Sequence, residues 1–537
     1  MQHMRLYLIA PQSNGHSEFV RQSISAIGDD RVTRVAAAAI ATVAALAPAD
    51  FEIVLCDEAV QQIDFDIDAD VVGITANVTQ ALRGLQIADR FRAQGKIVVM
   101  GGPHVSLAPE LFDGRADSLV LGELESTADE VFADMRSGTL KPRYQGGKAD
   151  LTRSPAPRWD LYPNELAVSG VVQTSRGCPF ECNFCDVIQY LGRVQRHKDD
   201  AQVIGEVQAL YDLGYSMIAL ADDNFTVYRK RTRSLLKALA AWNGKDGRDW
   251  VSFATQMSID VARDPEILAL CYEAGLLNAY VGIETSNQDS LAESKKRQNL
   301  RVDLVEECKT VVRAGIRLEA GLMVGFDHDD HSIFQRQFDF AMALPVSGFN
   351  VTVLVAPVAT PLYDNLLAQG RIVSDEVLAQ FPSANLITNF EPAQMTRDDL
   401  YVGAKWLINK LLDPANFEHR LGQVIELLVP PPWERDGLGG RRRPLGRRKP
   451  VTLFSRVLHD LTRRDPRIAA LVRRTFARMR ARPEIRDILG DALTYYLMTL
   501  RGYELEGVYD RSWEQLPAPP FGAATADERL ERIRAHA

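Results

Sequence analysis

The segment VSGVVQT (168–174) runs directly into SRGCPFECNFCD (175–186). A short apolar, β-branched run therefore ends in a loop that carries Cys178, Cys182 and Cys185 at C-x3-C-x2-C spacing. Gly177 and Pro179 favour a turn around the first cysteine. Downstream, strand-like runs recur at 217–221, 251–256, 278–283, 318–325 and 350–356, with helical periodicity at 202–213, 233–242 and 304–314 between them. Six strand–helix units predict a partial (β/α)6 barrel over 165–375, whose active site lies at the carboxyl ends of its strands.

Upstream, residues 6–10, 52–56, 71–75, 97–101 and 118–121 read as strands, and 35–46 and 82–93 as helices. This α/β alternation predicts a doubly wound parallel sheet over 1–140, which binds ligands at the carboxyl ends of its strands. The pattern fails in GTLKPRYQGGKADLTRSPAPRWDLYP (138–163), with four prolines, so 141–164 reads as a linker. Beyond 375 the strand signal fades. Leu453, Phe454, Val457, Leu458 and Leu461, then Ile485, Ile488, Leu489, Leu493, Tyr496 and Leu497, recur at helical spacing. Residues 376–537 are expected to form a mostly α-helical C-terminal domain, with 430–450 as an exposed Pro- and Arg-rich loop.

The chain has 537 residues, 46% hydrophobic and 25% charged, the balance of a folded protein rather than a disordered one. Its apolar start is too short for a signal peptide or a membrane span, and the Ala-rich stretch 35–47 suits a buried helix, so a cytoplasmic location is expected. Six cysteines are too few for a disulfide framework; Cys56, Cys271 and Cys308 read as core thiols. The net charge of −9 conceals a basic segment, 434–486, with 17 Lys and Arg against 5 Asp and Glu. Few aromatics interleave there, which disfavours nucleic acid. A solvated helix face is the default, and an anionic lipid or phosphorylated substrate surface the alternative.

A cubane iron–sulfur cluster needs four ligands. Three thiolates on one tight loop leave one iron open to a chelating molecule, here the amino and carboxyl groups of S-adenosylmethionine, with Phe184 shielding the cluster. A zinc knuckle would need a second pair or a fourth ligand, and the nearest histidine, His197, sits in the charged stretch RVQRHKDD. A plain electron-transfer cluster is the other alternative.

Residues 165–375 resemble a radical S-adenosylmethionine domain. Asp222, Asp223 and Asn224 stand where other members hold the methionine amino group. Gly282-Ile283-Glu284 resembles the ribose-contacting segment, with Ser286 as a contact or a helix cap, and GLMVGF (321–326) resembles the segment near the adenine. The N-terminal domain resembles the cobalamin-binding half of cobalamin-dependent members. Candidate contacts there are Thr75, Asn77, Gly101, Gly102, Ser106, Gly122 and Glu123. Ser106 would cap a helix facing a phosphate, the Thr75–Asn77 loop would meet the corrin or cap the next helix, and His104 would lie near the corrin edge. His16 lacks the Asp and Gly of the D-x-H-x-x-G motif, so no histidine ligand to cobalt is expected. The stretches 356–363 and 369–372 are similar to a sub-family that includes hopanoid lipid methyltransferases.

The resemblance implies a [4Fe–4S] cluster, S-adenosylmethionine and cobalamin, reductive cleavage to a 5′-deoxyadenosyl radical, and methylation of an unactivated carbon in a lipid or secondary metabolite. It also implies an external donor such as flavodoxin or ferredoxin. A cyclase, oxygenase or rearrangement enzyme on the same scaffold, and a corrinoid- or cluster-binding sensor, are the other readings. Peripheral membrane contact would run through the basic C-terminal region.

Overall fold

The computed structural model describes residues 4–13, 23–25, 31–380, 386–434, 441–444 and 448–522. His16 lies outside them. Sixteen strands follow in chain order: β1 (Met4–Ala10), β2 (Ser23–Ser25), β3 (Arg31–Val35), β4 (Phe51–Asp57), β5 (Val71–Thr75), β6 (Ile97–Gly101), β7 (Ser118–Leu121), β8 (Arg143–Gln145), β9 (Ala167–Val172), β10 (Ser175–Arg176), β11 (Arg196–His197), β12 (Met217–Leu220), β13 (Ser252–Met257), β14 (Leu276–Glu284), β15 (Arg317–Val324) and β16 (Gly348–Val353).

The first sheet runs β4-β1-β5-β6-β7-β8, every pair parallel, as a doubly wound domain requires. The second runs β16-β15-β14-β13-β12-β9, parallel throughout, and is the six-stranded partial barrel. Local chemistry sets its helices. Asp264 accepts from the Ile267 N–H and Pro265 opens the Pro265–Ala274 helix, which Gly275 ends at φ +80°. Asp303 accepts from Val305 and Glu306 N–H groups to start the Leu304–Arg313 helix.

Three expectations need correction. The helix read from residue 35 starts at Ala38, because Arg31–Val35 is a strand. It pairs in parallel with β9 (Thr33 with Ala167, Val35 with Ser169), and β2 pairs antiparallel with it, so the N-terminal segment extends the barrel sheet to eight strands. The stretch read as linker contains β8, whose Tyr144 is buried between exposed neighbours, and also buries Trp159 and Tyr162; the Tyr162 hydroxyl donates to Asp57 Oδ2 at 2.6 Å. The 430–450 segment is not simply an exposed loop. Trp433 is buried against Trp250, and Trp250 exchanges backbone hydrogen bonds with Arg441 and Arg443.

The C-terminal residues are helical as expected: Arg397–Leu412, Pro414–Leu427, Arg448–Arg464, Pro466–Ala481 and Arg486–Leu505. The last of these touches both β16 and β2, the two edges of the extended sheet, and so spans its open seam. Tyr495 on this helix lies under the guanidinium of Arg34, 4.9 Å from the ring centre, and Arg34 pairs with Glu319 on β15 at 2.7 Å. One apolar core runs from the inner face of the first sheet (Leu6, Leu8, Val99, Val120) through the barrel to these helices. Much of the basic segment is answered within the protein: Arg442 pairs with Asp491, Arg464 with Glu504, Arg467 with Glu514, and Arg474 and Arg478 with Glu418. Among the described residues no helix is long and apolar enough to cross a membrane.

Candidate functional site

The cysteine loop leaves the carboxyl end of β9 and is held by the next strand end. Asp222 Oδ1 accepts the Thr174 and Ser175 N–H groups at 2.9 and 2.6 Å, and its Oδ2 accepts the Thr174 hydroxyl at 2.5 Å. Asp223 Oδ2 accepts the Gly177 N–H at 2.9 Å. Gly177 sits at φ +98°, where a Cβ would stand 2.8 Å from the Val194 carbonyl oxygen, so glycine is required at this turn. The β10–β11 pair closes the base of the loop, and Cys178 N–H donates to the Gly192 carbonyl at 3.2 Å. On the far side Asn183 donates to the carbonyls of Ser294 and Glu293, which brings the 293–299 segment against the thiols.

Burial pushes all three thiols up, Cys185 to about 12; Cys178 also feels the charge of Cys182, and Cys185 that of both Cys182 and Cys178, so the three are near neighbours. Among the described residues no three His, Cys, Asp or Glu side chains converge as ligands of a single ion do; three thiols that each take a different iron need not. Lys296 is the nearby cation. Its Nζ lies 2.6 Å from Glu284 Oε1, and its charge acts on Cys178, Cys182 and Cys185. Glu284 holds φ +66° at a register shift in β14, and a Cβ on Gly282 would overlap both partners of the pair.

Of the remaining barrel candidates, Asn224 donates to Ser258 Oγ at 2.5 Å while its buried Oδ1 has no hydrogen-bond partner. Phe184 meets Phe326 edge to face, 6.4 Å between ring centres, which joins the cysteine loop to the end of β15. Ser286 is not the helix cap; its N–H donates to Gln337, and Asn287 caps the Gln288–Glu293 helix. Burial pushes Asp223 up to about 6, against the Gly177 hydrogen bond that favours its charged form.

A cavity of about 650 Å³ opens between the carboxyl ends of the first sheet and this loop. Thr75, Asn77, Gly101, Gly102, Gly122 and Glu123 line it on one side, Arg176, Asp186, Tyr190 and Asp223 on the other, and Leu6, Leu8, Val43, Phe132 and Met135 form an apolar wall. Gly102, at φ +109°, would place a Cβ 2.8 Å from the Ala76 backbone. Four side chains here are engaged within the protein. Asn77 Oδ1 accepts from Thr79 and Gln80 N–H groups and so closes the turn that leads into the Ala81–Ala93 helix. Ser106 lies in a helix of only five residues, donates to the Gly102 carbonyl and accepts the Gly122 N–H, each at 2.8 Å; it fastens two loops and caps nothing. His104 is 3% exposed, packs edge to face on Phe112, and is not among the residues that line the cavity. Glu123 is held by Arg176 and Arg196.

Arg176, Arg196 and Lys296 were not legible as site residues. Arg176 stands two places before Cys178, which was a usable signal; Lys296, in the run Lys295-Lys296-Arg297, gives none.

Residues 172–336, which contain the three cysteines, match the Radical SAM superfamily. An uncharacterized methyltransferase of Synechocystis sp. is 33% identical over 386 residues, 71% of each chain. The chain belongs to the radical S-adenosylmethionine family. Hopanoid C-2 methylase of Rhodopseudomonas palustris is 29% identical over 342 residues, 62% of this chain and 64% of the methylase. The same fold is seen in the cobalamin-dependent S-adenosylmethionine radical enzyme OxsB, solved with aqua-cobalamin bound, at TM-score 0.58 and 16% identity over 100% of this chain and 84% of that one. This radical S-adenosylmethionine chain is thus an enzyme of the methyltransferase group. It uses a [4Fe–4S] cluster and S-adenosylmethionine, requires a reductant, and acts on a small-molecule or lipid substrate.

Proposed function

We propose that this enzyme methylates an unactivated carbon of a lipid or secondary metabolite with cobalamin as methyl carrier, and that Cys178, Cys182 and Cys185 hold its cluster. One observation carries the reading: a single cavity of about 650 Å³ is walled by glycine-rich strand ends of the first sheet and by Arg176 and Asp186, which flank the three cysteines in the loop, so a corrinoid held there lies beside the loop that would hold the cluster. When bound, the cluster supplies an electron to S-adenosylmethionine and the cobalamin supplies the methyl group.

The residues present fit those groups. Three thiols on one loop leave a coordination place open, Lys296 favours their thiolate forms by its charge, and the orphaned Asn224 Oδ1 offers an acceptor to an ammonium group. Asp222 and Asp223 hold the loop rather than the ligand; Glu284 pairs with Lys296 over Gly282 beside the thiols, Phe184 would shield the cluster, and Gly282, Glu284 and Ser286 remain proposed contacts of S-adenosylmethionine. Gly101, Gly102 and Gly122 present backbone without side-chain bulk to a large planar ligand, with Thr75 beside them. The apolar wall excludes water from the reacting carbon. We place the enzyme in the cytoplasm, with flavodoxin or ferredoxin as donor. Arg473 and Arg480, which have no carboxylate partner among the described residues, flank the 42%-exposed Phe476 on one helix face and offer contact with an anionic membrane.

The test is anaerobic reconstitution with iron and sulfide, with and without hydroxocobalamin, followed by mass spectrometry for 5′-deoxyadenosine. Cluster and cobalamin absorption together with 5′-deoxyadenosine are expected. Cys182→Ala should lose both the cluster and the cleavage; a Cys182→Ala protein that keeps either refutes the cluster assignment.

A further inference from the structure

Four charged side chains, Glu123 buried and the other three largely so, meet where the first sheet joins the cysteine loop. Glu123 follows Gly122 at the end of β7, and Glu125 is two residues on. Arg176 lies on β10, two residues before Cys178, and Arg196 is its partner across the β10–β11 pair. Arg176 reaches Glu123 at 2.7 Å and Glu125 at 2.6 Å; Arg196 reaches the two Glu123 oxygens at 2.6 and 2.9 Å. The side chains are 2% (Glu123), 11% (Glu125 and Arg176) and 19% (Arg196) exposed. Glu123 also accepts the Ala149 N–H at 3.3 Å, and Arg196 donates to the Ala149 carbonyl at 2.7 Å. Both carboxylate oxygens are therefore filled from within the protein. A second tie runs beside them, from the Tyr190 hydroxyl, five residues after Cys185, to the Gly122 carbonyl at 3.1 Å.

Stability alone explains this cluster poorly. A buried ion group gives little over well-packed apolar residues, because desolvation offsets the Coulomb attraction. What paired guanidinium–carboxylate bonds supply is direction: a planar fork fixes both distance and angle. The apolar core that joins the sheet and the barrel elsewhere has no comparable directionality.

We propose that Glu123 is a positioning residue. Through Arg176 and Arg196 it locks the cavity loop of the first sheet to the cysteine loop, and so sets the placement of the cobalamin relative to the cluster; the inference rests on the cofactor reading proposed above.

The experiment uses the full-length holoenzyme loaded with iron, sulfide and hydroxocobalamin, then reduced so that both the cluster and cob(II)alamin are paramagnetic. Iron and corrin contents are measured, and the magnetic interaction of the two centres is read as the relaxation rate of the cob(II)alamin signal in electron paramagnetic resonance. E123Q is expected to retain both cofactors while changing that rate at least twofold. Arg196→Lys keeps the charge with fewer bonds and should shift it in the same direction by less. Native contents with an unchanged rate in both variants overturn the proposal. So does loss of both cofactors together with a collapsed melting temperature in both variants, since the ion cluster would then be a folding element. Wild-type protein that takes up the cluster but no corrinoid fails one step earlier, at the cobalamin reading itself, and that outcome is visible before any variant is made.

Discussion

Glu284 and Lys296 meet over Gly282, and their closeness to the thiols makes them the most consequential pair outside the cysteines. Removing one partner of a buried pair leaves the other charge uncompensated, which costs about 3–5 kcal/mol. Lys296→Met should lower the urea midpoint accordingly, and adding Glu284→Gln should recover much of the loss; additive losses would show that the pair is not coupled. His104 gives a pH prediction. Burial pushes its imidazole from 6.5 down to about 4, so between those values the unfolded chain binds the proton and the folded one does not. Stability therefore falls as pH drops from 6.5 to 4, by up to about 3 kcal/mol. His104→Gln should flatten that window in denaturation curves taken at each pH. The cysteine spacing was legible because ligand geometry constrains neighbours in sequence. The Glu123–Arg176 contact was not, because 53 residues separate its partners.

At the scale of elements, the barrel strands could be read closely from sequence. Residues 217–221 and 318–325 were expected, and Met217–Leu220 and Arg317–Val324 are found, since buried parallel strands write continuous apolar runs. The same physics hid β3 and β8. Arg31-Val32-Thr33-Arg34-Val35 spaces its two valines three residues apart and so lacks the alternation of a strand, the alanines after it extend a helical pattern backwards over its last residue, and Arg143-Tyr144-Gln145 offers one buried side chain in three. Pairing decided both. Because β3 lies between β2 and β9, proline is not tolerated there: Thr33→Pro should cost about 3 kcal/mol or more in melting experiments and expose the 31–35 segment to protease. If the variant melts as the wild type does, β3 contributes nothing to the barrel.

For the whole molecule, the seam of the barrel is closed from the side by the Arg486–Leu505 helix, and the cavity opens instead between sheet and barrel. The basic segment's helices, Arg448–Arg464 and Pro466–Ala481, pack against that seam helix, and Arg473 and Arg480 stand exposed on the second of them. Arg473→Glu combined with Arg480→Glu should abolish sedimentation with phosphatidylglycerol vesicles, and wild-type binding should weaken as salt rises; wild-type protein that stays in the supernatant at low salt ends the membrane reading. The union of β3 with β9 also sets a timetable. Val35 pairs with Ser169, a partner synthesised about 130 residues later, which at 5–20 residues per second is roughly 7 to 27 seconds of translation. During that interval the nascent chain holds a short edge strand with no neighbour from the barrel, whatever the first sheet has already done. Newly made chains are thus most open to aggregation before β9 leaves the ribosome, and slowing translation upstream of residue 167 should lower the yield of soluble enzyme.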